Sequence, residues 1–316
     1  MGRVKANGLE LEYETFGDPN DPPMVLIMGL GAQLIDWPQP FCEMLAAAGF
    51  QVIRFDNRDA GLSSSLDHLG APDLPALFAG DLDAAPYRLS DLADDTVGLL
   101  DGLGIDRAHL VGASLGGMVA QQTVIDHPDR VRSLASVMST TGDRTVGQAT
   151  PEARTVLGRP PAANREEAIA NTVRSSRIIG STGFPVTDQE LLARATAKYD
   201  RSYRPVGTLR QFVAAAASPD RTPGLRQVTV PTVVIHGKQD RLVRPSGGRA
   251  TAKAIPGAKL VEIDGMGHDL PRGAWPRIID AIVDNAQRAA ADESGRAVPG
   301  HGDAANGRAR LRAGHP

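Results

Sequence analysis

The sequence predicts an open, mostly parallel, doubly wound α/β sheet. The first observation is that short apolar runs, typical of buried strands, alternate with helical segments over residues 1–140. The second is that the same alternation returns near residue 224, after a long stretch without strand-like runs. The composition agrees, because 41% apolar and 22% charged residues in a chain of 316 are ordinary for a globular enzyme. That length allows one large domain or two small ones.

The strand predictions begin with residues 9–16, which alternate apolar and polar side chains. This is the pattern of an antiparallel edge strand. Residues 24–28 and 52–55 are instead largely apolar runs, as expected for strands buried in a parallel sheet. Between them, residues 40–50 predict a crossover helix that closes at Gly49.

A second set of elements follows in the same order. Ser90 is predicted to cap a helix that runs to Leu103. Residues 109–111 form a short apolar strand, a helix is predicted after Leu115, and residues 134–138 form the next strand.

Residues 141–223 have a different character, because helical segments rich in Ala, Arg and Glu replace the strands. One of them carries a capping box, Thr187 to Glu190. We therefore divide the chain into a core of residues 1–140 and 224–288, a helical insertion of residues 141–223, and a tail. Residues 289–316 lack aromatic residues and apolar periodicity, which predicts a disordered tail.

The strand at residues 109–111 leads into Gly112-Ala-Ser-Leu-Gly116. This Gly-X-Ser-X-Gly pattern is typical of a strained strand-to-helix turn that exposes the oxygen of a nucleophilic serine, here Ser114. Flanking glycines are needed because a Cβ at either position would collide with neighbouring backbone. The pattern alone is weak, and a simple Gly-rich turn is the alternative.

A nucleophilic serine needs a base and an acid that orients the base. Asp240 follows the apolar strand that begins at Pro231, and His268 follows the strand that begins at Ala258. The order Ser114, Asp240, His268 is the one expected of a hydrolase built on a parallel sheet, where residues after different strands converge at one edge. Asp264 is the alternative acid, four residues before His268.

The chain resembles the α/β-hydrolase family, and within it the bacterial esterases related to aclacinomycin methylesterase. The matching segments are Met28-Gly-Leu-Gly-Ala-Gln, Val52-Ile-Arg-Phe-Asp-Asn-Arg-Asp, Gly112-Ala-Ser-Leu-Gly and Gly265-Met-Gly-His-Asp-Leu-Pro. The resemblance extends over residues 8–285. It implies that Ser114 is the nucleophile, His268 the general base and acid, and Asp240 the residue that orients His268. It also implies that residues 141–223 form a cap over the active site.

The same resemblance places an oxyanion hole at the backbone N–H groups of Leu30 and Leu115. Such donors stabilise a tetrahedral intermediate by roughly 3–4 kcal/mol each. Many family members begin this turn with His-Gly, whereas this chain has Met28-Gly29, which indicates a more apolar turn. Without the resemblance, the turn would be interpreted as a flexible loop.

Other residues have two interpretations. Trp37 follows the oxyanion turn and either lines the substrate pocket or packs against the cap. Asp56, Arg58 and Asp59 follow a core strand, where a structural ion-pair role is favoured over a catalytic carboxylate pair. Cys42 is the single cysteine, so no internal disulfide is possible, and a buried thiol is expected.

Several function classes are disfavoured. His68, His109 and His127 are isolated, and no metal-binding motif, Gly-X-Gly-X-X-Gly loop or phosphate-binding loop occurs, so neither a metal nor a cofactor is expected. A net charge of −3 gives no electrostatic case for nucleic acid. No signal-peptide core or run of 18 apolar residues occurs, so we expect no membrane span and a cytoplasmic location.

The expected function is hydrolysis of a small-molecule carboxylic ester, such as a methyl ester or lactone, through an acyl-enzyme. Thioesterase, lipase and cofactor-free perhydrolase activities use the same three residues and stay open. A catalytically idle small-molecule receptor is the alternative outside enzymes. The sequence specifies neither the physiological substrate nor the oligomeric state.

Overall fold

The computed structural model describes residues 1–157 and 159–296. Within them, a single eight-stranded sheet has the order β1-β2-β4-β3-β5-β6-β7-β8. Strands β1 and β2 are antiparallel to their neighbours, and all pairs from β4 to β8 are parallel. The predicted mostly parallel α/β sheet is therefore confirmed.

The strands span β1 (Gly2–Ala6), β2 (Leu9–Phe16), β3 (Pro23–Ile27), β4 (Gln51–Phe55), β5 (Ala108–Ala113), β6 (Val131–Val137), β7 (Thr232–Gly237) and β8 (Lys259–Ile263). The α-helices span α1 (Gln39–Ala47), α2 (Leu74–Phe78), α3 (Leu89–Gly102), α4 (Leu115–Asp126), α5 (Pro151–Leu157), α6 (Arg165–Ile179), α7 (Asp188–Arg201), α8 (Pro205–Ala217), α9 (Thr222–Leu225), α10 (Pro245–Ala254) and α11 (Trp275–Arg296). Short 3₁₀ turns occupy Leu34–Asp36, Asp67–Leu69, Leu82–Ala84, Pro128–Arg130 and Arg272–Ala274.

The two faces of the sheet carry separate apolar cores. On β3, Met24 and Leu26 pack on the side of α1 and α11, whereas Val25 and Ile27 pack on the side of α3 and α4. Both sets of side chains are fully buried. A strand buried on both faces has no polar alternation, which explains why residues 24–28 form a continuous apolar run.

Three sequence predictions need correction. The strand β2 is antiparallel as predicted, but it is not at the edge, because the unpredicted β1 pairs outside it from Gly2 to Ala6. Helix α3 begins at Leu89 with Arg88 as its N-cap residue, because the Asp91 carboxylate accepts the Arg88 N–H at 2.8 Å. Ser90 therefore lies inside the helix.

The third correction concerns the start of the predicted disordered tail, which was placed at residue 289. Helix α11 continues to Arg296, so residues 289–296 are helical. Ala286 and Ala289 are buried, and the alanines that follow favour continuation of the helix. The rest of the predicted tail, residues 297–316, lies outside the described residues.

The segment between β6 and β7 carries helices α5 to α9, and no strand occurs among its described residues. We keep the name insertion for residues 141–223. It is tied to the core by ion pairs. Arg210 of α8, fully buried, contacts Asp59 at 2.6 Å and Asp67 at 2.9 Å, and Arg201 of α7 contacts Asp56 at 2.8 Å.

Candidate active site

Ser114 lies at the turn between β5 and α4, with φ 55° and ψ −118°. This region of backbone space is strained for a residue with a Cβ. The flanking glycines make the turn possible. A Cβ on Gly112 would lie 2.1 Å from Gly116 O, and a Cβ on Gly116 would lie 2.0 Å from Ile27 O. Only glycine fits at these two positions.

The three side chains predicted from the sequence form one hydrogen-bonded chain. Ser114 Oγ lies 2.9 Å from His268 Nε2, and His268 Nδ1 lies 2.7 Å from Asp240 Oδ2. Because an ionised carboxylate only accepts hydrogen bonds, Nδ1 carries the proton of a neutral imidazole. Nε2 is then free to accept the proton of Ser114.

The Asp240 carboxylate is held on both oxygens. Oδ1 accepts the backbone N–H groups of Leu242 and Val243, both at 2.9 Å, and Oδ2 accepts His268 Nδ1. Burial alone would raise the pKa of Asp240, but the charge of His268 and the hydrogen bonds from His236 and His268 outweigh it and lower the pKa to about 2. Asp240 is therefore ionised at neutral pH.

The turn after β3 lies directly against the serine. A Cβ on Gly29 would be 3.1 Å from Ser114 Cβ, so the absence of a side chain there lets the turn approach Ser114. Within the described residues, no acceptor is bonded to the N–H of Leu30 or Leu115. Leu115 is the first residue of α4, where the backbone N–H groups have no partner inside the helix. Both groups are thus available as donors beside Ser114.

The loop that carries His268 is bound by the insertion. His268 N–H donates to Ile179 O at 2.7 Å, and Gly267 N–H donates to Ser181 Oγ at 2.9 Å. Ser181 Oγ in turn donates to Asp269 Oδ1. Burial raises the pKa of Asp269, against the opposing hydrogen bond from Ser181. Residues from α6 and the loop after it thus hold the backbone at Gly267 and His268 and the side chain of Asp269.

The other candidates lie away from the serine or have structural partners. Trp37 is fully buried and stacks on Phe41 at a ring distance of 5.6 Å, so it packs in the core. Asp264 is 75% exposed and pairs with Lys238, not with His268. Burial raises the pKa of the Cys42 thiol to about 12.

The carboxylates after β4 bind backbone and cations. Asp56 accepts the N–H groups of Leu34 and Leu62, and Asp59 pairs with Arg210. Arg58 pairs with Asp95. These contacts support the structural role that the sequence favoured for Asp56, Arg58 and Asp59. Among the described residues, no group of three His, Cys, Asp or Glu side chains is placed to hold a metal ion.

The sequence analysis missed two side chains beside this arrangement. His236 Nε2 donates to Val243 O at 2.8 Å and lies 3.4 Å from Asp240 Oδ2. Ser139 Oγ donates to Ser114 O at 2.8 Å. Their positions after or at the end of core strands are the only signal that could have found them, because neither belongs to a motif.

Comparison with known proteins identifies the family. Residues 22–271 match the α/β-hydrolase fold family. The chain is 31% identical over 309 residues to rhodomycin D methylesterase DauP of Streptomyces sp. strain C5, which covers 90% of this chain and 98% of that protein. It is 26% identical over 254 residues to 3-oxoadipate enol-lactonase 2 of Acinetobacter baylyi, which covers 80% and 84% of the two chains.

Among solved structures, a thermophilic esterase from Thermogutta terrifontis has the same fold, with a TM-score of 0.67 and 24% identity over 92% of this chain and 99% of the other. The chain belongs to the α/β-hydrolase family, and its relatives support an enzyme that hydrolyses esters. No helix in the described part of the chain has the length and apolar character needed to cross a bilayer.

Proposed function

We propose that the protein is a serine carboxylesterase in which Ser114, His268 and Asp240 form the catalytic triad. The observation that carries the proposal is the continuous hydrogen-bonded chain from Ser114 Oγ through both nitrogens of His268 to Asp240. Nucleophile, base and orienting acid each have the partner that covalent catalysis by serine needs.

The proposed reaction has two steps. In the first, Ser114 Oγ attacks the ester carbonyl carbon and transfers its proton to His268 Nε2. The carbon–oxygen bond to the alcohol then breaks, and His268 gives that proton to the departing alcohol. In the second, water attacks the acyl-enzyme with His268 as base, and Ser114 takes the proton back as the acid leaves.

The oxyanion formed in each step would accept hydrogen bonds from Leu30 N–H and Leu115 N–H. Two observations support this assignment of the donors: the close approach of Gly29 to Ser114, and the position of Leu115 at the first turn of α4. A helix N-terminus also favours negative charge through its dipole. The Asp240 carboxylate stabilises the imidazolium that forms when His268 holds the serine proton.

The substrate class we propose is a small-molecule methyl ester or a lactone. A methylesterase and an enol-lactonase are among the relatives, and both reactions pass through the same acyl chemistry. The two differ in the leaving group, because a methyl ester releases methanol whereas the alcohol of a lactone stays attached to the acid.

Brief exposure to a fluorophosphonate, followed by intact-mass measurement, tests the proposed nucleophile. We expect a single adduct on the parent and none on Ser114→Ala. A folded parent without an adduct would contradict the triad assignment. If the adduct forms, a panel of methyl esters and lactones, with methanol release measured separately, distinguishes the two substrate classes.

A further inference from the structure

The turn that carries the Leu30 N–H is held at three consecutive peptide groups. Asn57 Nδ2 donates to Met28 O at 2.9 Å, and Ala32 N–H donates to Gly29 O at 3.1 Å. The third contact is from Gly31 N–H to Gln211 Oε1 at 2.8 Å. The peptide that bears the Leu30 N–H therefore has its carbonyl engaged and a fixed peptide on each side.

Gln211 reaches this turn from helix α8 of the insertion, and its side chain is fully buried. Its Nε2 donates to Arg58 O at 2.7 Å. Because a carbonyl oxygen only accepts, the amide cannot flip, and Oε1 must face Gly31 N–H. Gly31 has φ +59°, and a Cβ there would lie 2.5 Å from Thr208 Oγ1. The turn is thus packed directly against α8 as well as bonded to it.

We propose that Gln211 is a positioning residue that holds the Leu30 N–H where it can stabilise the oxyanion. This inference rests on the esterase function proposed above. Gln211 acts through the Gly31 peptide and does not touch the reacting atoms. Oxyanion donors are effective because they are fixed before the charge develops, at 2.7–3.1 Å from the place that the oxyanion will take. A buried amide bonded at both ends supplies that fixation.

The variant that tests this role is Gln211→Met, which keeps the length of the side chain and removes both hydrogen bonds. With p-nitrophenyl acetate as substrate, we expect kcat to fall about 10- to 100-fold while KM changes by less than about threefold. Circular dichroism and a thermal melt check that the variant is folded. If it does not fold, Gln211→Asn, which keeps an amide but shortens its reach, takes its place with the same expected result.

A pair of inhibitors separates positioning of the oxyanion donor from general packing. The compound 1,1,1-trifluoro-2-octanone adds to an activated serine and places an oxyanion in the hole, whereas 2-octanol has no carbonyl and cannot. We expect Gln211→Met to weaken the trifluoroketone by about the same factor as kcat/KM and to leave 2-octanol unchanged. Equal weakening of both compounds would show that Gln211 shapes the pocket, and would overturn the proposal.

Arg204→Met is the matched control. Arg204 flanks the same helix and binds the core through Ser63 O at 2.9 Å, without contact to the turn. We expect its kcat to stay within about twofold of the parent. A similar loss in both variants, or a parent-like rate in Gln211→Met, would overturn the positioning role. A parent that shows neither esterase activity nor a fluorophosphonate adduct would instead refute the proposed function.

Discussion

Replacing Asp240 by Asn tests how the site fixes the proton on His268. The substitution keeps the shape of the side chain but leaves one acceptor oxygen. That oxygen is needed by the N–H groups of Leu242 and Val243, which both bind Oδ1 at 2.9 Å. The new NH₂ group then faces His268 Nδ1, and two donors cannot share a hydrogen bond.

His268 can satisfy the new amide only by moving its proton from Nδ1 to Nε2. Nε2 then points a hydrogen at Ser114 and cannot accept the serine proton. His236 cannot relieve the conflict, because Val243 O holds its Nε2 as a donor at 2.8 Å. The wrong tautomer, together with the lost carboxylate charge, is expected to lower kcat about 10⁴-fold, or about 5 kcal/mol in the activation barrier.

The same variant is expected to change the pH dependence of stability. The pKa of Asp240 is lowered from 3.8 to about 2 in the folded protein. A lowered carboxyl pKa stabilises the fold above pH 4, by about 2 kcal/mol, and this contribution disappears as pH falls towards 2. Asp240→Asn lacks the carboxyl group, so its free energy of unfolding should fall less steeply than that of the parent over this range.

The assay is hydrolysis of p-nitrophenyl acetate at pH 8, with urea unfolding followed by circular dichroism between pH 7 and 2. Asp264→Asn is the control, because Asp264 is the competing acid in the sequence and its exposed side chain pairs with Lys238. Its kcat should stay within about twofold of the parent. A loss of less than about 30-fold in Asp240→Asn, or an equal loss in Asp264→Asn, would refute the reasoning.

Three further substitutions test other parts of the structure. Gly116→Ala places a Cβ 2.0 Å from Ile27 O, so we expect a lower melting temperature and slower fluorophosphonate labelling. Parent-like values of both would contradict the requirement for glycine in the turn between β5 and α4. Ser181→Ala removes the acceptor of Gly267 N–H, and we expect kcat to fall about tenfold in steady-state assays with the fold intact. Arg210→Met leaves Asp59 without its buried cation and should lower the free energy of unfolding in urea by about 3–5 kcal/mol, whereas a loss below about 1 kcal/mol would argue against this ion pair as the anchor of α8.

The parts of the site that the sequence predicted are those set by local chemistry. A serine between two glycines at the end of an apolar strand is a short-range pattern, because the collisions that require glycine at positions 112 and 116 involve the turn and the neighbouring strand. Asp240 and His268 also follow strands, and parallel strands bring their carboxyl ends to one edge of the sheet. Pattern and topology together were therefore enough to place these three residues.

The start of α3 and the existence of β1 were predicted wrongly for two different reasons: a distant partner bears on the first, and a local turn signal was overlooked for the second. Ser90 is a good capping residue on its own, but the N-cap is Arg88, two residues earlier, and the Leu89 N–H that follows it donates to Ser218 Oγ from the insertion. Strand β1 is short, and its existence depends on pairing with β2. The contact with Ser218 has no signature in the local sequence. The Asn7-Gly8 turn between β1 and β2, in which both residues have positive φ, is instead a local hairpin signal that was overlooked.

The insertion contacts both the turn after β3 and the loop that carries His268, and these contacts limit how the insertion can move. Gln211 binds the turn at Gly31, while Ile179 O and Ser181 Oγ bind the backbone of His268 and Gly267. A rigid displacement of the whole insertion would break these hydrogen bonds together and disturb the proposed oxyanion donor and the proposed base at once. The proposed catalysis therefore requires the insertion to be seated on both loops during the chemical steps. It follows that removing the insertion should abolish turnover itself, and not merely broaden the range of esters accepted.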